Sequence, residues 1–321
     1  MIDNKTIKVN ELKQGDILLF SYLQDDWESK LIALLTQSPV SHSAMSYYTN
    51  DEIVEETPPD AQVNPIKKRV ADRTITVMRF SDTEADLKKV LDVAKKYADL
   101  KEPYPMANLI FVGLYILLKR VIISKELQIL LLPILKLVIG DLIELVDNKY
   151  YPGEHPMVCS QFIYHCYEEA GKEYKLIVRD IPSLKCLLEQ VQNYINENKS
   201  RLELKLATDL DSIKAGRQDA MPVTDKLLEA LYQELKKTSD IENRNNSTDL
   251  LGDEFVMAVH EFCSVIYKLY NNEDALLVKN EENILSSNPI ASLLEHKEYF
   301  VTPGDLLTNC KNLTNMGTLM E

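Results

Sequence analysis

A chain of 321 residues with 45% hydrophobic and 27% charged side chains can bury a full core without disulfide or metal staples. Its 50 acidic side chains outnumber 36 basic ones, a formal net charge of −14, which excludes a broad electrostatic grip on nucleic acid. The five cysteines, Cys159, Cys166, Cys186, Cys263 and Cys310, follow no paired or C-x-x-C spacing. They therefore read as reduced thiols rather than a disulfide framework or zinc site, and no cofactor motif is found.

The first residues, Met1 to Thr6, are polar and lack the basic-then-apolar order of a secretory signal. Cytoplasmic residence is expected, although a protein exported by a non-Sec route would look the same. Asp16 to Phe20, Ser43 to Tyr48, Glu52 to Glu56 and Thr74 to Phe80 have the composition and length of strands. Ser81 and Glu84, three apart, predict a capping box that opens a helix with Leu87, Val90, Leu91, Ala94 and Tyr97 on one stripe. Up to about Gly171 the pattern is α+β.

The most apolar segment is 106–146, where Leu109 to Leu118 stops at Lys119-Arg120 and Ile129 to Leu135 is followed by Lys136 and Asp141. Neither run reaches the roughly 20 apolar residues of a spanning helix, so two buried core helices are expected. The sharper alternative is an apolar hairpin beside a catalytic centre that admits an acyl chain or makes peripheral contact with a membrane. Further on, Ser160 to Ala170 reads as a helix stopped by Gly171. Between Lys172 and Pro303 the only glycines are Gly216 and Gly252, which favours helices. Leu227, Leu228, Leu231, Tyr232 and Leu235 form one helical stripe, and Val259, Phe262, Val265, Ile266 and Leu269 another. The polar stretch 238–248 between them predicts a loop.

Cys159 falls at the start of the predicted Ser160 to Ala170 helix, where unpaired amides and the positive end of the dipole favour thiolate over thiol. Cys166, further along, reads as a small buried hydrophobe. A thiolate needs an acid–base partner, and there are five histidines: His42, His155, His165, His260 and His296. His42 opens a predicted strand after the Ser38-Pro39 turn, a rigid seat for an imidazole. His155, in a loop before Pro156, is its nearest rival. Glu55 on the following strand can accept from the far ring nitrogen and fix the tautomer, with Glu56 beside it as the competing carboxylate.

The ordered set Gly15-Asp16-Ile17-Leu18-Leu19-Phe20, Ser38-Pro39-Val40-Ser41-His42, Val54-Glu55 with Thr57-Pro58, Pro103-Tyr104, Val158-Cys159-Ser160-Gln161-Phe162 and Val301-Thr302-Pro303-Gly304-Asp305-Leu306 resembles the permuted NlpC/P60 papain-like cysteine hydrolases, in the YiiX/YaeF-like branch. The resemblance covers roughly residues 10–190 and 296–321. It implies a circularly permuted papain-like α+β domain, with a small antiparallel sheet or barrel and packed helices. In that fold Cys159 is the nucleophile, His42 the base, Glu55 the third polar group, and Tyr104 lies near the oxyanion. Residues 1–190, closed by 296–321, would form this catalytic core, and 195–295 an α-helical insertion that compact relatives lack. Two departures are Ser43-Ala44 after the histidine and Glu56 after the glutamate.

The expected activity is acyl transfer or hydrolysis through a thioester, on an amide or ester bond. The aliphatic segment 106–146 leans toward an acyl or lipidic substrate. A cell-wall-type peptide amidase or endopeptidase and a non-catalytic binding module are the alternatives. No cofactor and no metal are expected.

Overall fold

The computed structural model describes residues 5–36, 38–70, 73–101, 113–115, 117–118, 124–147, 157–179, 187–216, 225–239, 251–271, 289–295 and 300–320. The chain divides into two compact units. The first comprises Met1–Gly113, Gly153–Pro182 and Glu298–Glu321, the second Leu114–Pro152 and Ser183–Lys297. The apolar segment 106–146 is thereby split, with its larger part in the second unit.

The first unit is mixed α+β, built on one seven-stranded sheet. Its strands are β1 (Thr6–Lys8), β2 (Ile17–Ser21), β3 (Val40–Ser46), β4 (Glu52–Thr57), β5 (Asp60–Pro65), β6 (Ile75–Phe80) and β7 (Leu313–Met320), in the order β1-β7-β6-β2-β3-β4-β5. The pairs are antiparallel except β1 with β7, which are parallel. The sheet is thus mixed rather than antiparallel, because strands from opposite ends of the chain meet at one edge. β1, β5 and β7 carry no clear sequence signal: β1 is three residues long, β5 ends in a proline, and β7 contains Gly317.

β2 is central and apolar on both faces. Ile17 and Leu19 pack with Met45, Val54 and Met78, while Leu18 and Phe20 pack on the opposite face with Ala44, Ile53, Ile75 and Val77. The first face is covered by α3 (Lys88–Leu100) through Val90, Leu91, Ala94 and Tyr97, and by α5 (Cys159–Ala170) through Phe162, Ile163, Cys166 and Tyr167. Two short helices flank the sheet, α1 (Trp27–Leu35) and α2 (Lys67–Val70).

The Ser81/Glu84 pair does not cap a helix. Asp82 and Asp86 instead accept the backbone N–H groups of Glu84 (3.1 Å) and Lys88 (3.0 Å), local turns that delay α3 to Lys88. The Gly15-Asp16 turn before β2 is structural. Gly15 has φ +80°, and a Cβ there would lie 2.5 Å from Leu87 Cδ1. Buried Asp16 accepts from Lys13 N (2.8 Å) and from Arg79 Nε (2.7 Å) and Nη2 (2.6 Å), tying β2 to β6.

The second unit is helical, with α4 (Lys125–Asp147), α6 (Leu187–Gly216), α7 (Asp225–Ser239), α8 (Asp253–Asn271) and α9 (Pro289–Glu295). α4 buries Leu127, Leu131, Ile134, Leu135, Val138 and Leu142. Both predicted stripes are represented in its core, by Leu231 and Leu235 on α7 and by Val259, Phe262, Val265 and Ile266 on α8. Beyond Ser239 the expected loop at 238–248 lies outside the described residues. Among the described residues no helix is long and apolar enough to cross a membrane. The final helix, α10 (Pro303–Thr308), returns to the first unit.

Removing one partner of a buried bidentate pair strands the other charge. Asp16→Ala is expected to cost about 3 kcal/mol, read as a lowered midpoint in urea unfolding; an unchanged midpoint would show that the pair does not hold β2 to β6.

Candidate active site around Cys159

His42 sits near the start of β3, paired with Phe20 on β2, whose ring lies 5.4 Å from the imidazole at a tilt of 53°. The strand is fixed just before it by a buried hydrogen bond of 2.7 Å between Ser41 and Ser29 of α1. Glu55 and Glu56 are adjacent on β4 and both buried, but alternation sends them to opposite faces: Ile53 belongs to one core cluster and Val54 to the other. Glu55 is the one that meets the histidine, its Oε2 lying 2.7 Å from His42 Nε2. The second carboxylate oxygen accepts from Arg69 Nε of α2 (2.7 Å) and Asn64 Nδ2 of β5 (2.9 Å).

Cys159 is the first residue of α5, after an extended Val158 whose N–H donates to Gln161 Oε1 (3.1 Å). The first bond of the helical ladder runs from Phe162 N–H to Val158 O (2.9 Å), so the Cys159 and Ser160 amides precede it. This helix start is held by the C-terminal segment. Ser160 Oγ donates to Val301 O (2.6 Å), and Thr302 and Asp305 form a reciprocal capping box at α10. Gly304 lets α10 approach the turn before His42, since a Cβ there would lie 2.7 Å from Ser38 Cβ.

The electrostatics couple these groups. Burial disfavours the His42 cation, but the charge and hydrogen bond of Cys159, with those of Glu55, outweigh it and raise His42 from 6.5 to about 9. Burial likewise opposes the Cys159 thiolate, yet the charge and hydrogen bond of His42, helped by the backbone of Ser43, lower the thiol below its ordinary value. Burial also works against ionised Glu55, and the His42 and Arg69 contacts overcome it. The other described thiols go the opposite way. Burial pushes Cys166 well above the usual range, raises Cys263, and takes Cys310 to about 11. A nucleophilic thiol is expected to be exposed; Cys159 is instead 2% exposed, buried but paired.

Of the other candidates, Tyr104, His155, Cys186 and His296 lie outside the described residues. His165 sits further along α5, where its charge acts on Glu169. His260, on α8, is held near 4 by burial, which favours the neutral ring. Asn64, Arg69 and Ser43 carry no sequence signal of their own and are recognisable only from the tertiary arrangement around Glu55 and Cys159. The Thr302-x-x-Asp305 cap is an exception, being a readable pattern. Among the described residues no group of three or more His, Cys, Asp or Glu gathers closely enough to hold a metal ion.

No family model matches the chain, and no curated protein matches it. Among solved structures, the crystal structure of metalloprotein yiiX from Escherichia coli O157:H7, DUF1105, aligns at 19% identity with a TM-score of 0.31. The alignment covers 49% of this chain and 66% of that one, just under two thirds of its length.

Because the Cys159 charge raises His42, a Cys159→Ser variant should titrate His42 well below the wild-type value of about 9, as followed by histidine ring NMR. The sign also bears on stability. A histidine raised above its unfolded 6.5 contributes stability that is complete below 6.5 and lost as pH rises through about 9. Equal His42 midpoints in wild type and variant would mean that thiol and imidazole are not coupled.

Proposed function

We propose that this protein is a cysteine-dependent hydrolase or acyl-transfer enzyme of the permuted NlpC/P60 papain-like kind. The observation that carries the reading is a thiol at a helix start, lowered by a histidine that a buried carboxylate orients. Three features agree with it: His42 precedes Cys159 in the chain, the histidine stands on a strand, and the cysteine opens a helix.

With His42 Nε2 engaged by Glu55, Nδ1 is the nitrogen left for the thiol. In the resting pair Nδ1 carries the proton and Cys159 is a thiolate. The sulfur attacks an acyl carbonyl carbon, and the carbonyl electron pair moves to oxygen, within reach of the Cys159 amide at the helix start. Collapse breaks the bond to nitrogen or oxygen, and Nδ1–H passes its proton to the departing group, leaving a thioester and neutral imidazole. His42 then takes a proton from water or another acceptor as its oxygen attacks the thioester, the thiolate leaves, and the ion pair returns. Glu55 holds the ring and stabilises the imidazolium without itself changing protonation.

The substrate is an amide or ester of a small peptide or acyl lipid. The preference for acyl chains rests on the aliphatic composition of 106–146, and in the described part of that segment α4 buries Leu127, Leu131, Leu135 and Leu142 within the helical unit. Cell-wall-type peptide cleavage uses the same chemistry and is separated from it by substrate alone. A purely binding module predicts a thiol that is both buried and unpaired; Cys159 is buried, and it is the coupling to His42 that disfavours the module.

Alkylation by iodoacetamide, read cysteine by cysteine in mass spectra, tests the reading. Cys159 should react fastest near pH 6.5, and His42→Ala should slow it by about a hundredfold as the thiol returns toward its ordinary range. Peptide amides and fatty-acyl esters should then give a thioester adduct by intact mass that Cys159→Ala abolishes. Alkylation of Cys159 no faster than that of Cys310 would refute the assignment.

A further inference from the structure

The site holds a second arginine that the proposed mechanism does not use. Arg73 stands two residues before Ile75, the first residue of β6, and its neighbour Thr74 is pinned to Ser21 by reciprocal bonds, Ser21 N to Thr74 O (2.8 Å) and Thr74 N to Ser21 Oγ (3.0 Å). Sheet register aligns Ile75 with Phe20, and Phe20 with His42. Arg73 is thereby fixed at the end of the sheet where the imidazole lies. The guanidinium is half-buried, and among the described residues it makes no hydrogen bond or ion pair. The charges that act on it are those of Asp26, first, then Arg69, Glu55 and Cys159.

A half-buried guanidinium without a hydrogen-bonded anion is costly, and more so with a second arginine close by. Arg69 is committed through Nε to Glu55 and is 38% exposed. Arg73 has no such commitment, and its planar fork matches a carboxylate or a phosphate. We propose that Arg73, supported by the field of Arg69, forms an anion subsite beside Cys159, so that the acyl substrate carries an anionic oxyacid group close to the bond that is cleaved. The proposal rests on the cysteine-hydrolase reading and specifies its substrate class. It involves no further covalent step: Arg73 binds and orients while Cys159 and His42 carry the reaction.

The test compares two alkylating agents on Cys159 of the full-length protein, anionic iodoacetate and neutral iodoacetamide, normalised to their rates on glutathione. Wild type should favour iodoacetate, and Arg73→Gln should lower the iodoacetate-to-iodoacetamide ratio by about tenfold, the scale of one charge-assisted hydrogen bond. Arg73→Lys, which keeps the charge and loses the fork, should recover part of the ratio and serves if the glutamine variant does not fold. Competition by inorganic phosphate or by acetate then distinguishes a phosphate-bearing from a carboxylate-bearing substrate, according to which slows the iodoacetate reaction. A ratio unchanged in both Arg73 variants would overturn the subsite, because the His42 cation alone would then account for any preference, while the hydrolase reading would stand. A Cys159 that reacts with neither reagent would overturn both.

Discussion

A carboxylate with no exposed surface must be matched by donors or give up its charge, and Glu55 is matched three times, by His42, Asn64 and Arg69. Those three come from β3, β5 and the short helix after it, so the bonds that keep Glu55 ionised also lock the far edge of the sheet around the imidazole. The ring is thereby held in one orientation, with Nε2 on Glu55 and Nδ1 left for the thiol. His42 can rise to about 9 in a buried setting because an anion stands on each side of it.

The thiol is placed by a different route. α5 is clamped at its start by Ser160 against Val301, and the segment that follows, capped by Thr302 and Asp305, lies against the Ser38 turn through Gly304. The end of the chain therefore touches both the cysteine helix and the lead-in to the histidine strand. Residues some 260 apart in sequence are brought together by one glycine without a side chain. The same chain end supplies β7, which pairs with both β1 and β6, so closing the sheet and setting the site are one structural event.

Burial alone does not explain how the thiols differ. Cys159 and Cys166 lie on the same helix and both are buried, yet one is lowered and the other strongly raised. What differs is the charge each one meets: an imidazolium and the Ser43 backbone at the helix start, the carboxylates Glu169 and Glu56 further along. Adjacent Glu55 and Glu56 thus act from opposite faces of one strand, Glu55 on His42 and Glu56 on Cys166.

The four strongest strands, the cysteine helix and the two apolar stripes of the helical unit were legible in sequence, because alternation and helical periodicity are local properties. So were Cys159 and His42 as candidates, since a cysteine before a helix and a histidine after a rigid turn are local patterns too. The edge strands β1, β5 and β7 were not: they are short or interrupted, and exist because a neighbour offers its backbone. The Ser81/Glu84 pattern misled because two aspartates nearby offered the backbone better partners. Sequence alone determined that the chain is α+β with a helical stretch and which side chains could bear the chemistry. The choice of Glu55 over Glu56, the support of Asn64, Arg69 and Ser43, and the burial of the thiol were decided only by tertiary structure, because face and register are relations between strands that no single strand encodes.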